Sequence, residues 1–258
     1  MPAEKTSAVV LRVIPYRESS CILHLFSREH GLVQGIAKGL RRARPGGIFP
    51  ERGMLVDAVV YLRHNRDLQT IGAVEVAEFY PSIRAELPKT ALRDAAFELT
   101  LKTIRHSDYH PELYDLFVGL LRDLDMQDTM RCFPYALWGF FLTYAALLGF
   151  ALDLGRCIDC GRAPDEGVIS MREGGIRCAA CAPAFDPASY LPTHALAFLK
   201  NPDADPPSDL PPGELARLTR LLASYCAWHF DISADFKSLD FADELLRDAK
   251  GRVTGPPR

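Results

Sequence analysis

Cys157, Cys160, Cys178 and Cys181 stand as C-x2-C-x17-C-x2-C, and this spacing limits the chain more than any other feature. Two thiolates three residues apart can grip one cation from a single tight turn. Two such turns joined by a loop complete the closed, all-thiolate shell that holds structural zinc. Gly161 follows the first pair, Gly174 and Gly175 bend the chain before the second, and Arg156 and Arg177 offset the thiolate charge. Two disulfides would be the competing use of these residues. The start MPAEKTSAVV carries neither the basic beginning nor the apolar stretch of a signal peptide, so the expectation is a cytoplasmic chain with reduced thiols. A shell closed by four thiolates leaves no position for water or substrate, so one zinc ion should shape the chain rather than catalyse. Cys21, Cys132 and Cys226 lie in apolar surroundings and read as inert core residues.

Catalytic motifs are missing. His110-Pro111-Glu112 followed by CxxC resembles part of a zinc-deaminase pattern. Arginines rather than prolines precede the cysteine pairs, however, and two complete pairs leave no vacancy for His110. A helix start explains the tripeptide better, with proline early and an acid in the first turn. The glycines at 31, 35 and 39 have the wrong spacing for a phosphate loop or dinucleotide fingerprint, and no G-x-S-x-G or H-E-x-x-H occurs. The expectation is a binding protein, not an enzyme.

Residues 132–152 form a 21-residue run without a charge, long enough to span a bilayer. Its Pro134, Gly139, Thr143 and two tyrosines dilute it, and its aromatics do not gather at two interfacial belts. A helix buried on every face of a helical domain meets the same pattern, so no membrane association is expected. Short apolar runs at 8–11, 21–26, 32–37, 54–62 and 68–78, punctuated by Gly, Pro, Ser and charges, read as five strands of a small barrel of the OB type. Helical periodicity follows from residue 89 to 150 and again at 193–200 and 214–230. The fold class is therefore α+β multidomain: an OB-fold at 1–82, then an α-helical domain at 83–258 with a zinc-binding insertion at about 153–190.

Charge is distributed unevenly. The chain carries a formal net charge of −3, yet residues 1–82 hold 11 Lys/Arg against 8 Asp/Glu, or +3, which leaves −6 for the rest. Lys38, Arg41, Arg42 and Arg44 fall within seven residues on the connection between strands three and four. Such a cluster binds phosphates by charge-assisted hydrogen bonds and counterion release, with little sequence preference. Arg63 and Arg66, in the next hairpin tip, extend the same path. Tyr16, Phe26, Phe49 and Tyr61 are the aromatic candidates for base stacking.

Several stretches, taken in order, resemble one family. They are Ala8-Val9-Val10-Leu11-Arg12-Val13-Ile14-Pro15-Tyr16-Arg17-Glu18-Ser19-Ser20, Leu25-Phe26-Ser27-Arg28-Glu29-His30-Gly31, Ala37-Lys38-Gly39 and Leu147-Leu148-Gly149-Phe150. The four cysteines, Arg172-Glu173-Gly174-Gly175 and Lys237-Ser238-Leu239-Asp240-Phe241 continue the series. Together they resemble the bacterial RecO family across essentially the whole chain. The resemblance implies an N-terminal OB-fold, a helical domain and a zinc-finger insertion. It also implies binding of single- and double-stranded DNA and annealing of complementary strands without ATP. With RecR, the family loads the RecA recombinase on strands coated with single-stranded-DNA-binding protein. By that resemblance Lys38, Arg41, Arg42 and Arg44 contact phosphates and the four cysteines hold the metal. Family members often carry arginines before the residue matching Phe140, where they help receive the acidic tail of the single-strand binder. This chain has Trp138-Gly139 there, with Arg131 seven residues before Trp138 on the same helix face, so Arg131 and Trp138 are the expected tail contacts.

Two other classes compete. A zinc-stabilised adaptor binding only proteins would not need the cation cluster. A nuclease would need clustered carboxylates or an open metal site.

Overall fold

The computed structural model describes residues 3–42, 48–63, 66–104, 109–128, 133–182, 184, 186–202 and 204–253, the last eight of them as backbone alone. The chain divides into two compact units, Met1–Ala85 with Thr100–Met126 and Glu86–Leu99 with Gln127–Arg258. Helix α2, Leu87–Thr103, is shared between them.

The first unit is a closed barrel of β1 (Glu4–Tyr16), β2 (Ser20–Ser27), β3 (Gly31–Ala37), β4 (Leu55–Tyr61) and β5 (Gln69–Glu78) in the order β1-β2-β3-β5-β4. Strand β1 is longer than its apolar run suggests because it serves two partners. Residues from Glu4 to Val9 pair with β4, those from Ala8 to Tyr16 with β2, and the register shifts between Val10 and Arg12. Such an irregularity bends the strand enough to carry it around the barrel. Parallel pairing of β3 with β5 closes the circle at Gly35, Ile36 and Ala37. A Cβ on Gly35 would lie 2.7 Å from Ile71 Cγ1, so glycine permits that close approach. Ala8, Val10, Leu23, Leu25, Val33, Val56, Val60, Ile71 and Val74 fill the interior.

Helices α1 (Pro81–Ala85) and α3 (Pro111–Met126) belong to the same unit. Pro111 opens α3 with Glu112 in the first turn, as the sequence pattern predicts. Phe117 of α3 meets Phe26 edge-on at 5.4 Å between ring centroids, and both are fully buried. Tyr114 shares a hydrogen bond of 2.9 Å with Ser7. Two reciprocal forks flank this contact. Arg28 of β2–β3 holds Asp115 at 3.1 and 2.9 Å, and Arg122 of α3 holds Glu78 at 3.1 and 2.6 Å. Exposed pairs of this kind contribute about 0–1 kcal/mol each, whereas burying a phenylalanine contributes about 1.5–3 kcal/mol. Apolar packing therefore seats α3, and the forks fix its register.

In the second unit, the apolar run at 132–152 becomes α4, Tyr135–Leu147. Gly149, at φ +90°, turns the chain before the run ends. At 13 residues α4 is too short to span a bilayer, and no helix among the described residues is long and apolar enough to cross a membrane. Trp138, Phe141 and Tyr144 are fully buried. Helices α5 (Thr193–Lys200), α6 (Pro212–His229) and α7 (Lys237–Val253) belong to the same unit. Glu98 caps α7, accepting from the Ser238 backbone N–H at 3.0 Å and its hydroxyl at 2.7 Å. The cysteine segment forms a second sheet, ordered β6 (Asp153–Cys157), β8 (Gly175–Cys178), β7 (Gly167–Ser170) and β9 (Tyr190–Leu191).

Candidate functional site

The sulfur atoms of Cys157, Cys160, Cys178 and Cys181 all lie within 4.8 Å of one another. Cys160 Sγ and Cys178 Sγ are 3.8 Å apart, and a tetrahedron with metal–sulfur bonds of about 2.3 Å has edges of about 3.8 Å. The donor set thus fits one thiolate-bound metal ion. Among the described residues no other group of three or more Cys, His, Asp and Glu side chains converges in this way.

Backbone geometry builds the site. Cys157 ends β6, and Gly161, at φ +71°, returns its N–H to the Cys157 carbonyl at 2.8 Å. Cys178 ends β8, and the N–H groups of Cys181 and Ala182 return to its carbonyl at 3.0 and 3.1 Å. The two turns are joined directly, because Cys178 N–H donates to Cys157 Sγ at 3.4 Å. That N–H, with the one from Cys160, lowers the buried Cys157 thiol to about 6. Backbone and guanidinium donors of Arg162 lower Cys160 as well. Cys181, hydrogen-bonded to the thiols of Cys178 and Cys160, is pushed up to about 12. The cluster on its own therefore retains protons at neutral pH, which a bound cation displaces.

Arg162, two residues beyond the first pair, is the arginine that hydrogen-bonds a ligand thiol. Arg177 instead pairs with Asp159 at 3.0 Å and Glu173 at 3.4 Å. Arg217 of α6 donates to the carbonyls of Pro187, Ala188 and Tyr190 at 3.1, 2.9 and 2.7 Å, pinning the return strand. Cys21 and Cys226 are buried, and burial pushes the Cys226 thiol up to about 12. Cys132 lies outside the described residues.

On the barrel, Lys38, Arg41 and Arg42 occupy the exposed turn after β3, where Gly39 takes φ +71°. Arg41 locks this turn to the β1–β2 turn, donating from its N–H to the Ser19 carbonyl at 3.0 Å and from Nη1 to the Arg17 carbonyl at 3.4 Å. Arg17 therefore joins the cluster from 24 residues upstream of Arg41. Arg44 lies outside the described residues. Arg63 and Arg66 sit elsewhere, in a groove with Glu29, His30 and Gln34 toward the β2–β3 turn. Gln69 holds that tip by accepting from Arg63 N–H at 2.7 Å and donating to the carbonyls of Arg63, at 3.1 Å, and Arg66.

Trp138 shows no exposed surface, and its indole N–H donates to Thr219 Oγ1 at 2.8 Å, so it presents nothing to a partner. Arg131 lies outside the described residues. Phe26, too, is enclosed by α3 and has no face for a base.

A closed OB-type barrel with an exposed basic turn, followed by a helical unit bearing a four-cysteine ribbon suited to a metal ion, defines a two-part architecture. The descriptions "Recombination protein O N terminal" and "Recombination protein O C terminal" match residues 1–80 and 84–240. DNA repair protein RecO of Chlorobaculum parvum is 30% identical over 259 residues, covering 94% of this chain and 98% of that protein. RecO of Chlorobium luteolum is 32% identical over 266 residues, covering 95% and 99%. RecO of Anaeromyxobacter dehalogenans is 34% identical over 203 residues, covering 77% and 78%. The chain belongs to the RecO family, which places it in recombination repair.

Proposed function

We propose that this protein is a recombination mediator that binds single- and double-stranded DNA and anneals complementary strands without ATP. With RecR, it helps load the RecA recombinase on strands coated with single-stranded-DNA-binding protein. The observation that carries the DNA reading is the pair of turns locked by Arg41 at one end of the barrel. They present Arg17, Lys38, Arg41 and Arg42 together, and Glu18 is the one acid within residues 17–19 and 38–42. Cations on a rigid rim grip backbones while leaving base edges free. Two strands held in this way pair by their own base stacking, so no nucleotide hydrolysis is needed and the protein acts by binding rather than catalysis.

Arg44 extends the same loop, and Arg63 and Arg66 supply a second phosphate contact toward the β2–β3 turn. The metal is one structural zinc ion on Cys157, Cys160, Cys178 and Cys181, and it cross-links the two turns of the ribbon. Its working place is the cytoplasm, at the nucleoid. The tail of the single-strand binder, with Trp138 enclosed, is received by surface residues of the helical unit together with Arg131.

Salt titration of oligonucleotide binding tests the DNA reading. Each phosphate contact contributes about −0.7 to the slope of log K against log salt for single strands. Removing the side chains of Lys38 and Arg42 should therefore flatten the slope by about 1.4 and weaken all sequences alike. A loss confined to one sequence contradicts it.

A further inference from the structure

The barrel's aromatic side chains fall into different settings. Phe26 is enclosed by α3. Tyr61 lies across Gly72, where an added Cβ would sit 2.9 Å from its ring, and it neighbours Arg63 rather than the basic turn. Tyr16 differs. It is the last residue of β1, half-buried, with the Arg17 guanidinium carbon 5.2 Å from its ring centroid.

Arg17 is exposed and adopts φ +52°, a left-handed conformation that bulky side chains seldom take. Strain of this kind persists only where the surroundings impose it. Here the Arg17 and Ser19 carbonyls are both occupied by Arg41. The lock holds the backbone of the turn that carries Tyr16 and Arg17 against the turn that carries Lys38, Arg41 and Arg42.

We infer that Tyr16 and Arg17 form a stacking site for one unpaired nucleobase, on a strand whose phosphates run to Lys38, Arg41 and Arg42. This rests on the DNA-binding reading and deepens it. A tyrosine face takes any base, because every base has a π-face, and a guanidinium plane can close over the base from the other side. Duplex bases have both faces covered by their neighbours, so the site distinguishes single strands from duplex, while the cations serve both.

Binding of the full-length protein to an oligothymidylate and to a duplex of equal length, followed by fluorescence anisotropy, tests this. Tyr16→Ala should lower single-strand affinity by about 5- to 150-fold and leave duplex affinity unchanged, whereas Tyr16→Phe should keep both. A single-stranded probe carrying 2-aminopurine should be quenched by the unmodified protein and much less by Tyr16→Ala. Equal loss on both DNA forms, or no loss on either, overturns the stacking site while the DNA-binding reading stands. If the unmodified protein binds neither form, both readings fall together. Should Tyr16→Ala misfold, absence of quenching by Tyr16→Phe and by the unmodified protein would equally overturn the site.

Discussion

Trp138 stands among Tyr135, Phe198 and Thr219, its ring 5.0 Å from Tyr135 and 6.2 Å from Phe198. Its replacement should therefore be felt in stability. Trp138→Ala should cost about 3–5 kcal/mol through the cavity it leaves. Trp138→Phe, which removes the hydrogen bond to Thr219, should cost about 1–3 kcal/mol. Urea unfolding measures both. At the cysteines, Cys157→Ser with Cys178→Ser should abolish binding of one equivalent of zinc and lower the melting temperature, with DNA binding by the barrel retained. Metal titration, thermal melting and oligonucleotide binding check the three parts, and loss of DNA binding in a folded double variant would contradict a purely structural metal. The ligand set was legible in the sequence because each turn's donors are three residues apart and the backbone alone brings each pair together. Arg162 was within reach of the same reasoning, two residues past Cys160. Arg217 was not, since it reaches carbonyls 27 to 30 residues away and carries no local signature.

At the scale of elements, short apolar runs bounded by Gly, Pro, Ser and charged residues announced the five barrel strands, which bury residues on both faces in places, as β1 does from Ala8 to Leu11. The runs understated β1, whose outer residues satisfy two partners. The strands of the cysteine ribbon left almost no pattern: two to five residues each, they are held by the thiolate turns and by Arg217 more than by side-chain alternation. Helix α3 announced its existence through its proline start and apolar stripe, while its seat on the barrel depends on Phe26 and on charges distant in sequence. Those charges make a pH prediction. Arg122 holds the Glu78 carboxyl below its ordinary value, and Arg28 does the same for Asp115. Depressed carboxylates add stability that is complete above the unfolded range of about 4 and is lost as pH falls through the lower folded values. Melting temperature should drop below about pH 4, and Arg122→Leu should remove part of that slope. Exposure keeps the effect small, and an unchanged slope in Arg122→Leu would show that the fork does not couple to folding.

The whole molecule keeps its basic excess in the barrel and its acidic excess in the remainder, so a modest net charge of −3 conceals a net charge of +3 over residues 1–82. Annealing of complementary oligonucleotides without ATP, bare and precoated with the cognate single-strand binder, tests the central claim most directly. The account predicts rapid pairing of both that fades with salt and is abolished by Arg41→Glu with Arg42→Glu. Pairing that ignores salt and survives those charge reversals, or no pairing of either substrate, would contradict it.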